Sequence, residues 1–158
     1  MHHGNYSLFF SGSYDNEKGL DKFLLALTHP DEGQLYEWQA TSSHVNGQKR
    51  GDQFKRGGLL PQAHNCVDLD KWEVDTTPID LTHHAGVRGN FYRLLPFEVM
   101  TLAGTKRSDL GIHYDASAPG SLGCIVMNRH NWVEFDRVIS NLRQREGIKR
   151  IPLFPLYD

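Results

Sequence analysis

One stretch of this 158-residue chain has helical periodicity. Trp132, Phe135, Val138, Ile139 and Leu142 recur at three- and four-residue spacing and form one apolar stripe. Asn131 stands at its start as a candidate cap, with Glu134 three residues on as in a capping box, and Gly147 supplies the stop. Elsewhere the apolar residues fall in short runs separated by Gly, Pro, Ser and Asn clusters, which is the punctuation of strands. The expected fold is therefore mainly β, with one amphipathic helix near the C-terminus.

Asn5 to Phe10 has strand composition and meets a turn cluster at Ser11-Gly12-Ser13. Asp21 to Leu27 fits a strand or a short helix and is stopped by Pro30, while Leu35 to Thr41 alternates as a half-buried strand does. The polar, glycine-rich segment from Val45 to Leu60 reads as a solvated connection despite its four basic residues. Sheet resumes between Cys66 and Leu81 and from Asn90 to Met100. Ile148 to Tyr157 is a C-terminal strand whose Pro152 and Pro155 point to an edge or irregular position. No repeat, low-complexity tract or linker divides the chain, so residues 5–158 are expected to form one domain.

A net charge of −2 and a pI of about 6.5 give no global electrostatic case for nucleic acid or an anionic membrane. No run approaches the roughly 18 apolar residues of a membrane span. The opening Met1-His2-His3-Gly4 lacks the charged and apolar regions of a signal peptide, so the chain reads as soluble and without an export signal. The two cysteines allow one disulfide, but stapled secreted domains usually carry more, and Cys66 reads as a small buried hydrophobe.

The stretch GIHYDASAPGSLGCIVM, residues 111–127, concentrates the chemistry. A cysteine is a nucleophile as its thiolate, and a neighbouring histidine can act as base or stabilising cation. His113 and Cys124 are too far apart for one helix face, but the spacing suits neighbouring strands joined by a loop, with Asp115 to Gly120 making the return. The N–H groups of Gly123 and Cys124 can face a developing oxyanion. So read, the segment specifies acyl transfer through a thioester. The competing reading is a β-hairpin with a satisfied histidine and a core cysteine. Zinc held by His113, Cys124 and His130 lacks a paired ligand element and a fourth ligand. His83-His84, taken as strand neighbours, would point to opposite faces. No metal or other cofactor is expected.

These residues resemble the L,D-transpeptidase (YkuD-like) catalytic domain. Its signature is a histidine, a glycine-containing loop, and then Ser/Thr-His-Gly-Cys-Ile/Val-Arg. The matching residues are Gly111-Ile112-His113 and Ser121-Leu122-Gly123-Cys124-Ile125-Val126. Leu122 stands where the family has histidine and Val126 where it has arginine, and the intervening loop is short. The order of Leu35–Thr41, Gly57-Gly58-Leu59-Leu60-Pro61 and Phe91–Leu95 extends the likeness from Tyr6 to about Met127.

The resemblance implies an L,D-transpeptidase-like β-sandwich. In it Cys124 accepts the acyl group, His113 is the base, and the Tyr114 carbonyl orients the imidazole. Ser121, Leu122 and Gly123 shape the acyl pocket, and Arg107, which on sequence alone reads as a surface residue, is placed to meet a substrate carboxylate. The implied partner is the peptidoglycan stem peptide, in the periplasm or cell wall. An amine acceptor gives transpeptidation and water gives L,D-carboxypeptidase or hydrolase activity. A non-catalytic cell-wall-binding domain is the non-enzymatic alternative.

Overall fold

A computed structural model describes residues 5–15, 20–42, 52–54, 58–116 and 123–157. In chain order its elements are β1 (Ser7–Asp15), β2 (Leu20–His29), β3 (Gly33–Ala40), a 3-10 turn (Ala63–Asn65), β4 (Trp72–Asp75), β5 (Ile79–Leu81), β6 (Gly89–Leu95), β7 (Glu98–Met100), β8 (Lys106–Ser108), β9 (Gly111–Tyr114), β10 (Ile125–Met127), α1 (Arg129–Glu146) and β11 (Arg150–Tyr157). The described residues are mainly β with one helix, as the periodicity predicts.

Among the described residues, nine strands make one mixed sheet in the order β10-β9-β6-β4-β11-β1-β2-β3, with β5 paired to β6, while β7 and β8 form a separate hairpin. The two ends of that order meet where Thr41 and Val126 exchange backbone hydrogen bonds of 2.9 Å in both directions. The sheet thus curls back on itself. The described strands of this order form one continuous, curled sheet.

Alternation decides which residues fill the enclosed space. Leu8 and Phe10, Phe23, Leu25 and Leu27, Trp72 and Val74, Tyr92 and Leu94 are all buried, each two positions from the next on its strand. This pattern also settles Asp21–Leu27 as strand. The helix lies against this interior with the stripe read from the sequence: Trp132, Phe135, Val138, Ile139 and Leu142 are its buried residues. Phe135 meets Trp38 edge-on at 5.1 Å and Tyr92 at 5.8 Å. Full burial of such a side chain stabilises by about 1.5–3 kcal/mol, so this aromatic cluster is a main anchor of helix to sheet.

Four local expectations are corrected. β1 continues through Ser11-Gly12-Ser13, because β2 pairs with it as far as Asp15. The helix cap is Asn128, not Asn131: the Asn128 side chain accepts the backbone N–H of Asn131, and Gly147 ends the helix in the left-handed conformation at φ 69°. β11 is interior, lying between β1 and β4. Its prolines fit because each faces a stretch with one ladder only: β1 pairs from Leu153 onward and β4 only up to Leu153, with Pro152 before and Pro155 after. Finally, the end of the basic connection is not solvated, since Gly58, Leu59 and Leu60 are buried. Most of that connection lies outside the described residues. No helix among the described residues is long and apolar enough to cross a membrane.

Candidate active site

β9 and β10 are neighbours, as the spacing of His113 and Cys124 requires, but they run parallel. A hairpin is therefore excluded, because a hairpin makes antiparallel strands. Ile125 pairs with Ile112 and Val126 with His113. Cys124, one residue before Ile125, thus stands level with Gly111, two residues before His113. In a parallel pair, residues at one level point to the same face, so Gly111, His113, Cys124 and Val126 share the face opposite Ile112, Ile125 and Met127. The last three belong to the core.

His113 is half-buried. Its Nδ1 lies 2.8 Å from the carbonyl oxygen of Tyr114, and its ring stacks on Phe91 at 5.6 Å. A carbonyl oxygen only accepts, so Nδ1 carries the hydrogen and Nε2 keeps its lone pair. Burial pulls the imidazole below its ordinary value of 6.5; the Tyr114 bond opposes this and nearby His84 adds to it. The ring is therefore neutral at neutral pH. Phe91 also explains Gly111, where a Cβ would fall 2.4 Å from the Phe91 ring.

Cys124 presents a partly exposed thiol. It donates to the carbonyl of Asp109 at 3.6 Å. Burial pushes its ionisation up to about 11, opposed by the Gly111 backbone hydrogen bond and the Arg107 charge, and reinforced by Asp109. At rest the pair is a neutral thiol and a neutral imidazole. Proton removal therefore has to accompany attack on a bound substrate. Cys66 is buried and bonded to the Gln62 carbonyl at 3.7 Å, with burial raising its thiol, which matches the structural role read for it.

Gly123 is held from both sides. Its carbonyl accepts from the Ser42 hydroxyl at 3.0 Å, and Ser42 Oγ in turn accepts from the Leu60 N–H at 3.0 Å. With φ at 108°, and with a Cβ that would fall 2.2 Å from Arg107 Nη2, only glycine fits there. Ser42 is wholly buried, and nothing in its sequence surroundings marks it. Arg107 is not a surface residue: it is 2% exposed and donates to the carbonyls of Gln53 at 2.9 Å, Leu59 at 3.1 Å and Gly58 at 3.2 Å. Those bonds commit it to the chain beneath the site, away from a substrate carboxylate.

Ser121 and Leu122 lie outside the described residues. His130 is exposed on the first turn of α1, and no group of three or more His, Cys, Asp or Glu side chains among the described residues could hold a metal ion. His83 and His84 sit in the turn after β5 and not on a strand. A cleft of about 630 Å³ opens along the seam of β3 and β10, lined by Leu24, Gln39, Thr41, Asp115, Val126 and Asn128 among others. It starts beside the site: Val126 is the register partner of His113, and Asp115 follows Tyr114. Comparison with protein-family models, curated proteins and solved structures gives no significant match to this chain.

Proposed function

We propose that Cys124 and His113 form the reaction centre of a cysteine acyltransferase of the L,D-transpeptidase type, acting on peptidoglycan stem peptides. The observation that carries this reading is the 2.8 Å contact between His113 Nδ1 and the Tyr114 carbonyl, which leaves Nε2 as a base on the face that also presents the Cys124 thiol. The order of histidine before cysteine, the left-handed Gly123 and the mainly β fold support it. The sandwich architecture of that family belongs to the same reading.

In the reaction, Sγ of Cys124 attacks the carbonyl carbon preceding the terminal D-amino acid, and the thiol proton passes to Nε2 of His113. The carbonyl oxygen takes up negative charge facing the N–H groups of Gly123 and Cys124. As it re-forms the double bond, the C–N bond breaks and the departing amine takes the proton from His113. A thioester to Cys124 remains. An acceptor amine attacks it, gives up a proton through His113, and releases the thiol with a new amide; water in place of the amine yields a carboxylate. Ser121 and Leu122 are assigned to the pocket around the acyl group, and the β3–β10 cleft offers room for the peptide beyond it.

Digestion of purified peptidoglycan, with products resolved by mass, tests the proposal. Loss of a terminal D-residue, its exchange, or a new cross-link is expected from the wild type and not from Cys124→Ala. Equal product from both proteins would overturn it.

A further inference from the structure

The geometry points to Arg107 as a positioning residue for the Cys124 thiolate: its buried guanidinium fixes the peptide preceding the nucleophile and supplies a permanent positive charge behind the sulfur. This rests on reading Cys124 as the nucleophile.

The guanidinium carries five N–H donors and a charge that is not given up in proteins. The hydrogen bonds described for it go to neutral main-chain carbonyls, those of Gln53, Gly58 and Leu59. A buried cation bonded in this way bears a desolvation cost that a carboxylate partner would offset, and no ion pair of Arg107 occurs among the described residues. A purely structural tie between β8 and the 58–60 segment would not require a charge. Its neighbours show where that charge acts. Nη2 lies 2.2 Å from where a Cβ of Gly123 would be, and Gly123 is covalently joined to Cys124.

The other titratable groups around this charge and the thiol can be named. Asp109 faces the sulfur and opposes its ionisation, whereas Arg107 favours it. Cys66, Tyr157 and Asp52 face Arg107 itself. Tyr157 donates to the Leu60 carbonyl at 2.6 Å and is held in its neutral form by burial, so it brings no competing negative charge. His113, neutral at rest, stands two register positions from Cys124. Arg107 is thus a nearby cation that favours a negative sulfur, and forming one becomes easier with the guanidinium in place.

The test is the alkylation rate of Cys124, located by peptide mass mapping, in the wild type and in Arg107→Gln, Arg107→Lys and Gly123→Ala. At pH 8, Arg107→Gln is expected to react about tenfold more slowly with iodoacetamide, the change that corresponds to one unit of thiol ionisation. It should lose still more rate with the anionic iodoacetate, whereas a change in access alone would slow both reagents equally. Arg107→Lys should restore most of the iodoacetate rate. Gly123→Ala keeps every donor but displaces the guanidinium, and is expected to change in the same direction as Arg107→Gln. It decides the question if Arg107→Gln does not fold. Wild-type rates with both reagents in folded Arg107→Gln, or in Gly123→Ala, would overturn the inference. Because the readout is thiol chemistry, it stays distinct from the peptidoglycan assay: turnover that survives Cys124→Ala removes the functional reading, while unchanged alkylation removes only the role of Arg107.

Discussion

His113 is oriented by the main-chain carbonyl of Tyr114, a group with a dipole but no net charge. A carboxylate in that place would hold the imidazole protonated to higher pH; the carbonyl does so only weakly, and burial prevails. The base is therefore already in its proton-accepting form at neutral pH.

The acid limb of activity follows from this. His113 must be neutral to take the thiol proton, and its folded-state value lies below 6.5, so kcat/KM is expected to hold at pH 6.5 and fall only in more acid solution. The same shift works against the fold in acid. The unfolded chain binds this proton at the ordinary value and the folded chain does not, so the stability from a neutral His113 is full above 6.5 and is lost as pH falls toward the folded value. Urea titrations across that range, on wild type and His113→Gln, measure the contribution as their difference.

Without substrate, Cys124 should be a sluggish thiol. Its ionisation near 11 leaves little thiolate at pH 7, and the alkylation rate should rise about tenfold per pH unit until that value is approached. Stopped-flow or quenched alkylation between pH 7 and 10 checks the slope. A plateau near pH 8 would contradict the neutral resting pair.

Ser42→Ala should lower both stability and turnover. It removes the hydroxyl that donates to the Gly123 carbonyl and accepts the Leu60 N–H, leaving buried main-chain groups without those bonds. The expected loss is about 1–3 kcal/mol, read from denaturant midpoints. A fall in kcat greater than that of a distant variant of equal stability would show that Gly123 must be held in place.

Asn128→Ala removes the side chain that caps α1 and should cost about 1 kcal/mol. In a domain of this size that corresponds to a drop of about 2–4 °C in Tm. Asn131→Ala should cost less, since Asn131 contributes its backbone N–H to the cap, and its side chain only donates to Asn128 Oδ1.

Features that rest on local pattern were legible in the sequence. The helix stripe, its Gly147 stop and the alternating strands each depend on residues close in the chain. What was not legible depends on partners distant in the chain. The prolines of β11 suggest an edge until one knows where β1 and β4 begin and end their pairing. Ser11-Gly12-Ser13 resembles a turn until β2 is laid beside it. The parallel sense of β9 and β10 does not show in the spacing of His113 and Cys124, which suits a hairpin equally well. Arg107 reads as a surface cation because arginines are mostly exposed, and only the carbonyls of Gln53, Gly58 and Leu59 make its burial tolerable. Ser42 gives no local signal, because its importance comes from two main chains that meet on its hydroxyl.

Intact-protein mass spectrometry after acid quench, on protein mixed with a stem tetrapeptide ending in a D-amino acid, captures the thioester itself. The expected result is a mass gain equal to the peptide minus the free D-amino acid released, located on Cys124 and absent from Cys124→Ala and His113→Gln. Turnover of the tetrapeptide with no adduct on Cys124, and at the same rate in Cys124→Ala, would contradict a thioacyl-enzyme at this site.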